Sequence, residues 1–160
     1  MDNLIVDVSQ HLLERNMRMV TAESCTGGLI AASLTAIPGS SDWFEGAFVT
    51  YRPGAKIRML GVSGATIDRY SVVSEPVARE MAIGALAASD ADVSVAVTGV
   101  AGPSGGDIIS PVGTVWFAWA IRDDGIQCVQ ASEHCLEGDR DQVRHQAVTI
   151  ALTGILEVVS

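Results

Sequence analysis

Hydrophobic and polar positions follow two periods along the chain, and each period predicts one kind of element. A 3.6-residue period, typical of helices that bury one face, occurs in residues 2–15 and again in the last segment, from residue 139. Alternation or a short apolar run predicts strands at residues 17–22, 44–51, 93–97, 113–121 and 126–134. Further helices are predicted at residues 28–36, from Pro53 to near Gly61, and from Ser74 onward.

Turn residues indicate how these elements connect. The segment Asp123-Asp124-Gly125 separates the last two predicted strands and favours an antiparallel hairpin. Because helices separate the earlier strands, the sheet is expected to be mixed. At the last helix, Asp139 and Gln142 have the spacing of a capping box. These features predict a single α/β domain across residues 1–160.

The composition fits one globular domain and restricts the class of partner. The 160 residues are 48% hydrophobic and 18% charged, which suits a chain with a sizeable core. No apolar run is long enough to span a bilayer, and the start of the chain lacks the basic residues of a signal peptide. We therefore expect a cytoplasmic protein with no membrane partner. A net charge of −9 opposes binding to nucleic acid but allows a small anion site built from arginines, so the expected ligand is a small molecule.

The cysteines indicate neither a disulfide framework nor a metal site. Cys25, Cys128 and Cys135 are odd in number and lack the spacing of a zinc site, so we expect free thiols and no zinc knuckle. Ser24 stands directly before Cys25, and each of these two side chains is a candidate nucleophile.

In residues 20–28 a predicted strand passes into a predicted helix within a few residues. We place the other candidate functional features relative to this turn. Ligands bind at the carboxyl end of a strand, and the following helix presents unpaired N–H groups and a positive dipole end. Residues 24–26 therefore lie where an anion or an oxyanion would be held. The alternative is a tight strand-to-helix connection in which Thr26 is the N-cap.

A second glycine-rich loop, residues 98–106, follows the predicted strand at 93–97. The spacing of Gly99, Gly102 and Gly105 matches neither a P-loop nor a dinucleotide-binding fingerprint. Main-chain amides of such a loop can still hold a ligand without side-chain bulk. The alternative is a flexible loop with no ligand.

Lys56 is the only lysine in the chain, and the other nine basic residues are arginines. An amine can lose its proton and act as a base, whereas a guanidinium cannot. If the strands before Ser24 and before Lys56 are parallel neighbours, both residues lie at the same edge of the sheet, and the hydroxyl of Tyr51 can orient the amine. The alternative is an ordinary surface lysine.

The histidines are weaker candidates for a base. His11 and His145 lie on predicted helices, where solvated side chains are the common outcome, while His134 ends a strand and stays a candidate. Arg140 and Arg144 share one face at the start of the last helix, where cations are unfavourable unless an anion lies beside them. We therefore expect this pair to hold a phosphate; the alternative is ion pairs with neighbouring acidic residues.

Several motifs together resemble the CinA carboxy-terminal domain family, the nicotinamide-nucleotide amidases, over nearly the whole chain and in order. They are residues 22–28 (Ala-Glu-Ser-Cys-Thr-Gly-Gly), Tyr51 with Lys56, 60–62 (Leu-Gly-Val), 73–75 (Val-Ser-Glu), 98–103 (Thr-Gly-Val-Ala-Gly-Pro) with Gly105 and Gly106, 111–115 (Pro-Val-Gly-Thr-Val) and 138–140 (Gly-Asp-Arg).

The resemblance implies an α/β/α sandwich that hydrolyses the carboxamide of nicotinamide mononucleotide to nicotinate mononucleotide and ammonia. It implies a catalytic pair of Ser24 and Lys56 and no cofactor or metal. The residues expected to contact the pyridine nucleotide or its oxyanion are Thr26, Gly27, Gly28, Tyr51, Thr98, Gly105, Gly106, Arg140 and Arg144. A noncatalytic nucleotide-binding paralogue with the same pocket is the alternative, and a homo-oligomer is one option for the assembly.

Two positions depart from the family pattern. Between Tyr51 and Lys56 the family tends to have a Ser-Asn-Glu-Ala type sequence, whereas this chain has Arg52-Pro53-Gly54-Ala55. The family often has a lysine before Pro111, where this chain has Ser110. Both departures lie beside the expected site, so substrate contacts are expected to differ there, with Arg52 as a replacement for the missing positive charge.

Overall fold

The computed structural model describes residues 1–160 and contains five strands and six α-helices. The strands are β1 (Met19–Glu23), β2 (Phe44–Val49), β3 (Val93–Gly99), β4 (Thr114–Arg122) and β5 (Ile126–Cys135). The helices are α1 (Asp2–Glu14), α2 (Leu29–Thr35), α3 (Pro53–Leu60), α4 (Gly64–Tyr70), α5 (Glu75–Ala87) and α6 (Arg140–Val159), with a short 3₁₀ turn at Ser40–Asp42.

The five strands form one mixed sheet in the order β2-β1-β3-β4-β5. Strand β1 pairs in parallel with both β2 and β3, while β4 pairs antiparallel with β3 and with β5. The β4–β5 hairpin turns at Asp124 and Gly125, whose φ angles of 50° and 114° suit a tight hairpin with two positive-φ residues. The predicted mixed sheet and hairpin are confirmed.

Side chains of the strands enter two apolar layers, one on each face of the sheet. On one face Val93, Val95 and Val97 join a cluster with buried residues of α1, α2 and α6. On the other face Ala22 and Ala96 join a cluster with buried residues of α5. Small side chains there let α5 lie close to the sheet. The result is the α/β/α sandwich that the resemblance implied.

Helix α3 is positioned by a close backbone contact with α5. Gly84 of α5 faces the carbonyl group of Leu60 so closely that a Cβ atom at residue 84 would overlap it. Pro53 occupies the first turn of α3, where its fixed φ suits a helix start, and Gly61 ends the helix with a φ of 68°. The packing of α3 therefore sets the place of the buried Lys56.

Some elements differ from the sequence pattern. Strand β1 starts at Met19 and β2 ends at Val49, so each is shifted or shortened by two residues relative to the prediction. Helix α4 is not predicted, because none of its residues is fully buried and it lacks the apolar stripe that marks a packed helix. The capping box of Asp139 and Gln142 forms as predicted. No helix combines the length and apolarity needed to cross a membrane.

Candidate active site

Parallel pairing brings Ser24 and Lys56 to one edge of the sheet. Ser24 follows β1 directly, and Lys56 lies in α3, the helix that follows the neighbouring parallel strand β2. The Nζ atom of Lys56 lies 2.8 Å from Oγ of Ser24. The expected proximity of these two side chains is found, and it arises because both carboxyl strand ends face the same side.

The amine of Lys56 is buried among neutral oxygen atoms. Its side chain is 1% exposed, and Nζ also donates to the carbonyl oxygens of Thr50 at 2.8 Å and Tyr51 at 3.1 Å. Burial lowers the pKa of Lys56 from 10.5 to about 8, because desolvation disfavours the charged form. A neutral amine has two N–H bonds and one lone pair, so two bonds to the carbonyls leave the lone pair for the Ser24 hydroxyl.

Residues 24–28, here called the Ser24 turn, contain two backbone N–H groups that are not bonded to a backbone carbonyl. The N–H of Ser24 donates to the carbonyl of Val97 at 3.0 Å, and the N–H of Gly27 donates to the carbonyl of Ser24 at 3.0 Å. The N–H groups of Cys25 and Thr26 donate to no backbone carbonyl. Two free amides directly after a serine are the donor set that stabilises an oxyanion on an attacked carbonyl.

The amides at the start of α2 are occupied by the chain's own Glu23. Its buried carboxylate accepts from the N–H groups of Gly28 at 3.2 Å, Ile30 at 3.0 Å and Ala31 at 3.0 Å, and from the Thr21 hydroxyl at 3.1 Å. The amides of Gly28, Ile30 and Ala31 are therefore not available to an external anion, and the expectation of an anion or oxyanion site at residues 24–26 stays a prediction. The sequence feature that could have indicated this role of Glu23 is an acidic residue at the end of a strand, five residues before Gly28, the N-cap of the next helix.

Cys25 is poorly suited to act as the nucleophile. The thiol is buried, and desolvation raises the pKa of Cys25 from 9.0 to about 11. The reactive form of a cysteine is the thiolate, which is scarce at neutral pH when the pKa is this high. The helix start does not activate this thiol, so Ser24 is the better nucleophile of the two.

A small cavity opens beside the Ser24 hydroxyl. Its volume is about 140 Å³, below the ~300–1,000 Å³ of sites that enclose a drug-sized ligand. It is lined by Ser24, Cys25, Tyr51, Lys56, Val72, Val73, Thr98, Gly99, Ala101 and Arg140. A ring with a short substituent fits such a volume, whereas larger groups attached to that ring must lie outside it.

Three of the predicted contact residues, Tyr51, Thr98 and Arg140, line the cavity. The Thr98 hydroxyl donates to the carbonyl of Val72 at 2.8 Å, a contact that the sequence pattern did not indicate. Arg140 donates to the carbonyl of Gly102 at 2.8 Å and to the Tyr51 hydroxyl at 3.1 Å. The Tyr51 hydroxyl therefore contacts Arg140, and it is the backbone carbonyl of Tyr51 that contacts the amine of Lys56.

The remaining predicted contact residues do not line the cavity. They are Thr26, Gly27, Gly28, Gly105, Gly106 and Arg144. Arg144 instead donates to the carbonyl oxygens of Cys25 and Thr26. The Thr26 hydroxyl is buried without a hydrogen bond, and the N-cap of α2 is Gly28, so the alternative that made Thr26 an N-cap is wrong.

No histidine lies at this cavity. His11 is half-buried and His145 is exposed, and each ring bonds to a backbone carbonyl of the preceding turn of its helix. His134 lies on β5, where its ring contacts the Ser132 hydroxyl and the edge of the Phe117 ring. No three His, Cys, Asp or Glu side chains in the structure cluster closely enough to form a metal site.

Both departures from the family pattern lie outside the cavity lining. Arg52 is exposed and forms the N-cap of α3, and Pro53 occupies the first turn of that helix. Ser110 directly follows the exposed residues 103–109, and its N–H donates to the carboxylate of Asp107. The changed segment still delivers Lys56 to the Ser24 hydroxyl.

A family model for the CinA C-terminal domain matches residues 1–159. The chain is 52% identical to "Nicotinamide-nucleotide amidohydrolase PncC" of Escherichia coli K12 over 146 residues, which cover 91% of this chain and 86% of the relative. It is 46% identical to the protein of the same name from Pseudomonas putida, with 97% and 94% covered. The crystal structure of the competence damage-inducible protein A (ComA) from Klebsiella pneumoniae superposes with a TM-score of 0.91 at 40% identity, with 97% of this chain and 94% of that chain covered.

Proposed function

The chain belongs to the CinA C-terminal domain family, and from that membership we propose that it is an amidase that converts nicotinamide mononucleotide to nicotinate mononucleotide and ammonia. The observation that carries the proposal is the 2.8 Å contact between the buried amine of Lys56 and the hydroxyl of Ser24. Relatives that are 46–52% identical over most of the chain bear the name of this activity.

The first step is attack by Ser24 on the carboxamide carbon. Lys56, as the neutral amine, takes the hydroxyl proton while Oγ forms a bond to that carbon. The carbonyls of Thr50 and Tyr51 then accept two of the three N–H bonds of the resulting ammonium, at distances that already suit hydrogen bonds. The amine needs no movement between its two protonation states.

The negative charge of the tetrahedral intermediate falls on the former carbonyl oxygen. The free N–H groups of Cys25 and Thr26 directly follow the nucleophile and are the donors proposed for this oxyanion. They take the role proposed for the amides in the turn. Gly105 and Gly106 lie outside the cavity lining, to which Thr98, Gly99 and Ala101 of the same loop contribute.

Collapse of the intermediate releases ammonia. The ammonium of Lys56 gives its proton to the amide nitrogen as the C–N bond breaks, which leaves an acyl ester on Ser24. Water then attacks the ester, Lys56 accepts the water proton, and the proton returns to Oγ as the ester bond breaks. One amide and one water give one carboxylic acid and one ammonia, and no group on the protein is consumed.

Cavity size supports a division of the proposed substrate between two regions. The volume of about 140 Å³ suits the pyridine ring and its carboxamide, so the ribose and phosphate are proposed to lie outside. Arg140 stands at the cavity rim and is exposed, so its guanidinium is available to the phosphate. The proposed ligand is therefore a small pyridine nucleotide that enters with its ring first.

The test is ammonia release by the purified protein from nicotinamide mononucleotide, with the riboside and free nicotinamide as comparators. We expect release from the mononucleotide, less from the riboside, and none from the Ser24→Ala variant. A half-buried serine on α1, which does not line the cavity, is the matched control, and its variant Ser9→Ala should keep the parent rate. Binding of the mononucleotide without ammonia release would favour the noncatalytic alternative.

A further inference from the structure

Arg144 reaches from α6 to the far side of the Ser24 turn. Its Nε atom donates to the carbonyl oxygen of Cys25 at 3.2 Å, and its Nη2 atom donates to that of Thr26 at 2.9 Å. Arg144 takes part in none of the four ion pairs of the chain. Its partly buried positive charge is therefore directed at two peptide carbonyls and at no carboxylate.

Peptide geometry links the contact between Arg144 and the Cys25 carbonyl to the direction of the Thr26 N–H. The carbonyl of Cys25 and the N–H of Thr26 belong to one planar trans peptide, so they point in opposite directions. A guanidinium that holds the Cys25 carbonyl also fixes the direction of the Thr26 N–H, away from Arg144. The side chain thus controls a donor that it does not touch.

The backbone N–H groups of Gly27 and Gly28 are already bound, which leaves the Cys25–Thr26 peptide as the adjustable part of the turn. Glu23 holds the Gly28 N–H, and the N–H of Gly27 is bonded to the carbonyl of Ser24. Gly27 has a φ of 57°, and a Cβ there would lie 3.6 Å from Nη2 of Arg144. Only glycine adopts this backbone easily, and it leaves the guanidinium close to the peptide.

We propose that Arg144 is a positioning residue for the amidase reaction, which holds the Cys25–Thr26 peptide with its N–H toward the oxyanion. This inference rests on the proposed function of the Ser24 and Lys56 pair. It replaces the expectation that Arg144 contacts the phosphate of the substrate. A preorganised donor needs no reorientation as the charge develops, and a cation behind the peptide strengthens that donor.

The test compares Arg144→Ala, Arg144→Lys and the parent on the mononucleotide and on the riboside. We expect Arg144→Ala to lower kcat by about 10–100-fold on both substrates, with KM changed less than about threefold, since the oxyanion is common to both. Added guanidinium ion should restore part of the lost kcat. Arg15→Ala, at an exposed arginine near the end of α1, is the matched control for loss of one positive charge.

Other outcomes would overturn the proposal. A rise in KM confined to the mononucleotide would assign Arg144 to the phosphate, and an unchanged kcat would remove it from the reaction. If Arg144→Ala does not fold, Arg144→Lys keeps the charge but holds only one carbonyl, and a kcat equal to that of the parent would contradict the inference.

A spectroscopic measurement separates this inference from the proposed function. Amide resonances of Thr26 and Gly27 should shift and broaden in Arg144→Ala, while those of the distant β4–β5 hairpin stay unchanged. If the parent releases no ammonia, the proposed amidase fails, and these spectra still decide whether Arg144 holds the peptide. Unchanged spectra of the turn would refute the positioning role in either case.

Discussion

The side-chain nitrogen of Lys56 and the hydroxyl oxygen of Ser24 lie 2.8 Å apart, although 32 residues separate them in the chain. No carboxylate contacts the amine, whose other partners are two backbone carbonyls. A buried lysine that lacks a counter-ion loses its proton more easily than one in water. In the proposed reaction this pair couples a weak nucleophile to a base that is partly neutral near physiological pH.

Replacement of Lys56 by arginine tests whether the amine acts as a base. A guanidinium keeps the positive charge but stays protonated at any workable pH, so Lys56→Arg should lower kcat by about 10²–10⁴-fold. Ammonia release is the measurement, with circular dichroism and mononucleotide binding as checks of folding.

The larger guanidinium has to fit a fully buried position, so Lys56→Met serves as a second variant of similar length. It should be as inactive as Lys56→Arg, because both lack a proton acceptor. A folded Lys56→Arg protein with a tenth of the parent rate would show that only the charge of Lys56 is needed.

The pH dependence of kcat/KM should report the titration of Lys56. With a pKa of about 8, about a tenth of the amine is neutral at pH 7, against roughly one part in 3,000 for a pKa of 10.5. In the proposed reaction the neutral amine is the active form, so kcat/KM should rise with pH and level off above about pH 8. Initial rates between pH 6 and about 10 measure this, with circular dichroism at each pH. A rate that falls through this range would exclude the base role.

Much of the fold was predictable because its signals are local. The hairpin turn at Asp124 and Gly125 and the capping box at Asp139 depend on residues next to one another. Helix α4, in contrast, buries no residue fully, so periodicity could not indicate it. The proximity of Ser24 and Lys56 was predictable only on the condition that β1 and β2 are parallel neighbours, which the sheet order satisfies.

The site was less predictable, because the sequence does not show which residues of distant segments a side chain contacts. Arg140 and Arg144 have the spacing of one helix face, yet Arg140 reaches the cavity rim and Arg144 reaches the Ser24 turn. Glu23 looks like any acidic residue until its four donors are known. Each of these roles depends on contacts between distant segments, which periodicity and motif spacing do not encode.

Variants at the Ser24 turn should distinguish the two candidate nucleophiles. Ser24→Ala should lose nearly all ammonia release, whereas Cys25→Ala should keep most of it, because burial raises the pKa of the Cys25 thiol to about 11. An alkylating reagent at neutral pH should modify the exposed Cys135 first and leave activity intact. Inactivation that the substrate prevents, with modification mapped to Cys25, would transfer the role to the thiol.

Arg140 is predicted to favour the phosphorylated substrate. Arg140→Ala should raise KM for the mononucleotide by about tenfold or more and change KM for the riboside much less, since only the mononucleotide loses a charge-assisted hydrogen bond. Because Arg140 also donates to the Tyr51 hydroxyl, Tyr51→Phe is the control that removes this contact and keeps the cation. Equal losses on both substrates in Arg140→Ala would indicate that the arginine supports the loop at Gly102 and not the phosphate.

Glu23 should contribute strongly to stability, because its carboxylate satisfies four donors inside the protein. One oxygen accepts from Gly28 and Ile30, and the other accepts from Ala31 and Thr21. A glutamine there has one oxygen and one NH₂ group, so the NH₂ group must face two donors. It also loses the favourable interaction of a negative charge with a helix start.

Glu23→Gln should therefore lower the free energy of unfolding by about 2–4 kcal/mol, the range for lost charge-assisted bonds and unpaired buried donors. Urea unfolding measures this, and Glu14→Gln, at a largely exposed glutamate on α1, should change stability by less than about 0.5 kcal/mol. The Glu23→Gln variant should also have a lower kcat, since Glu23 anchors one end of the turn that carries Ser24. An unfolding free energy equal to that of the parent would mean that α2 and the turn hold their geometry without the carboxylate.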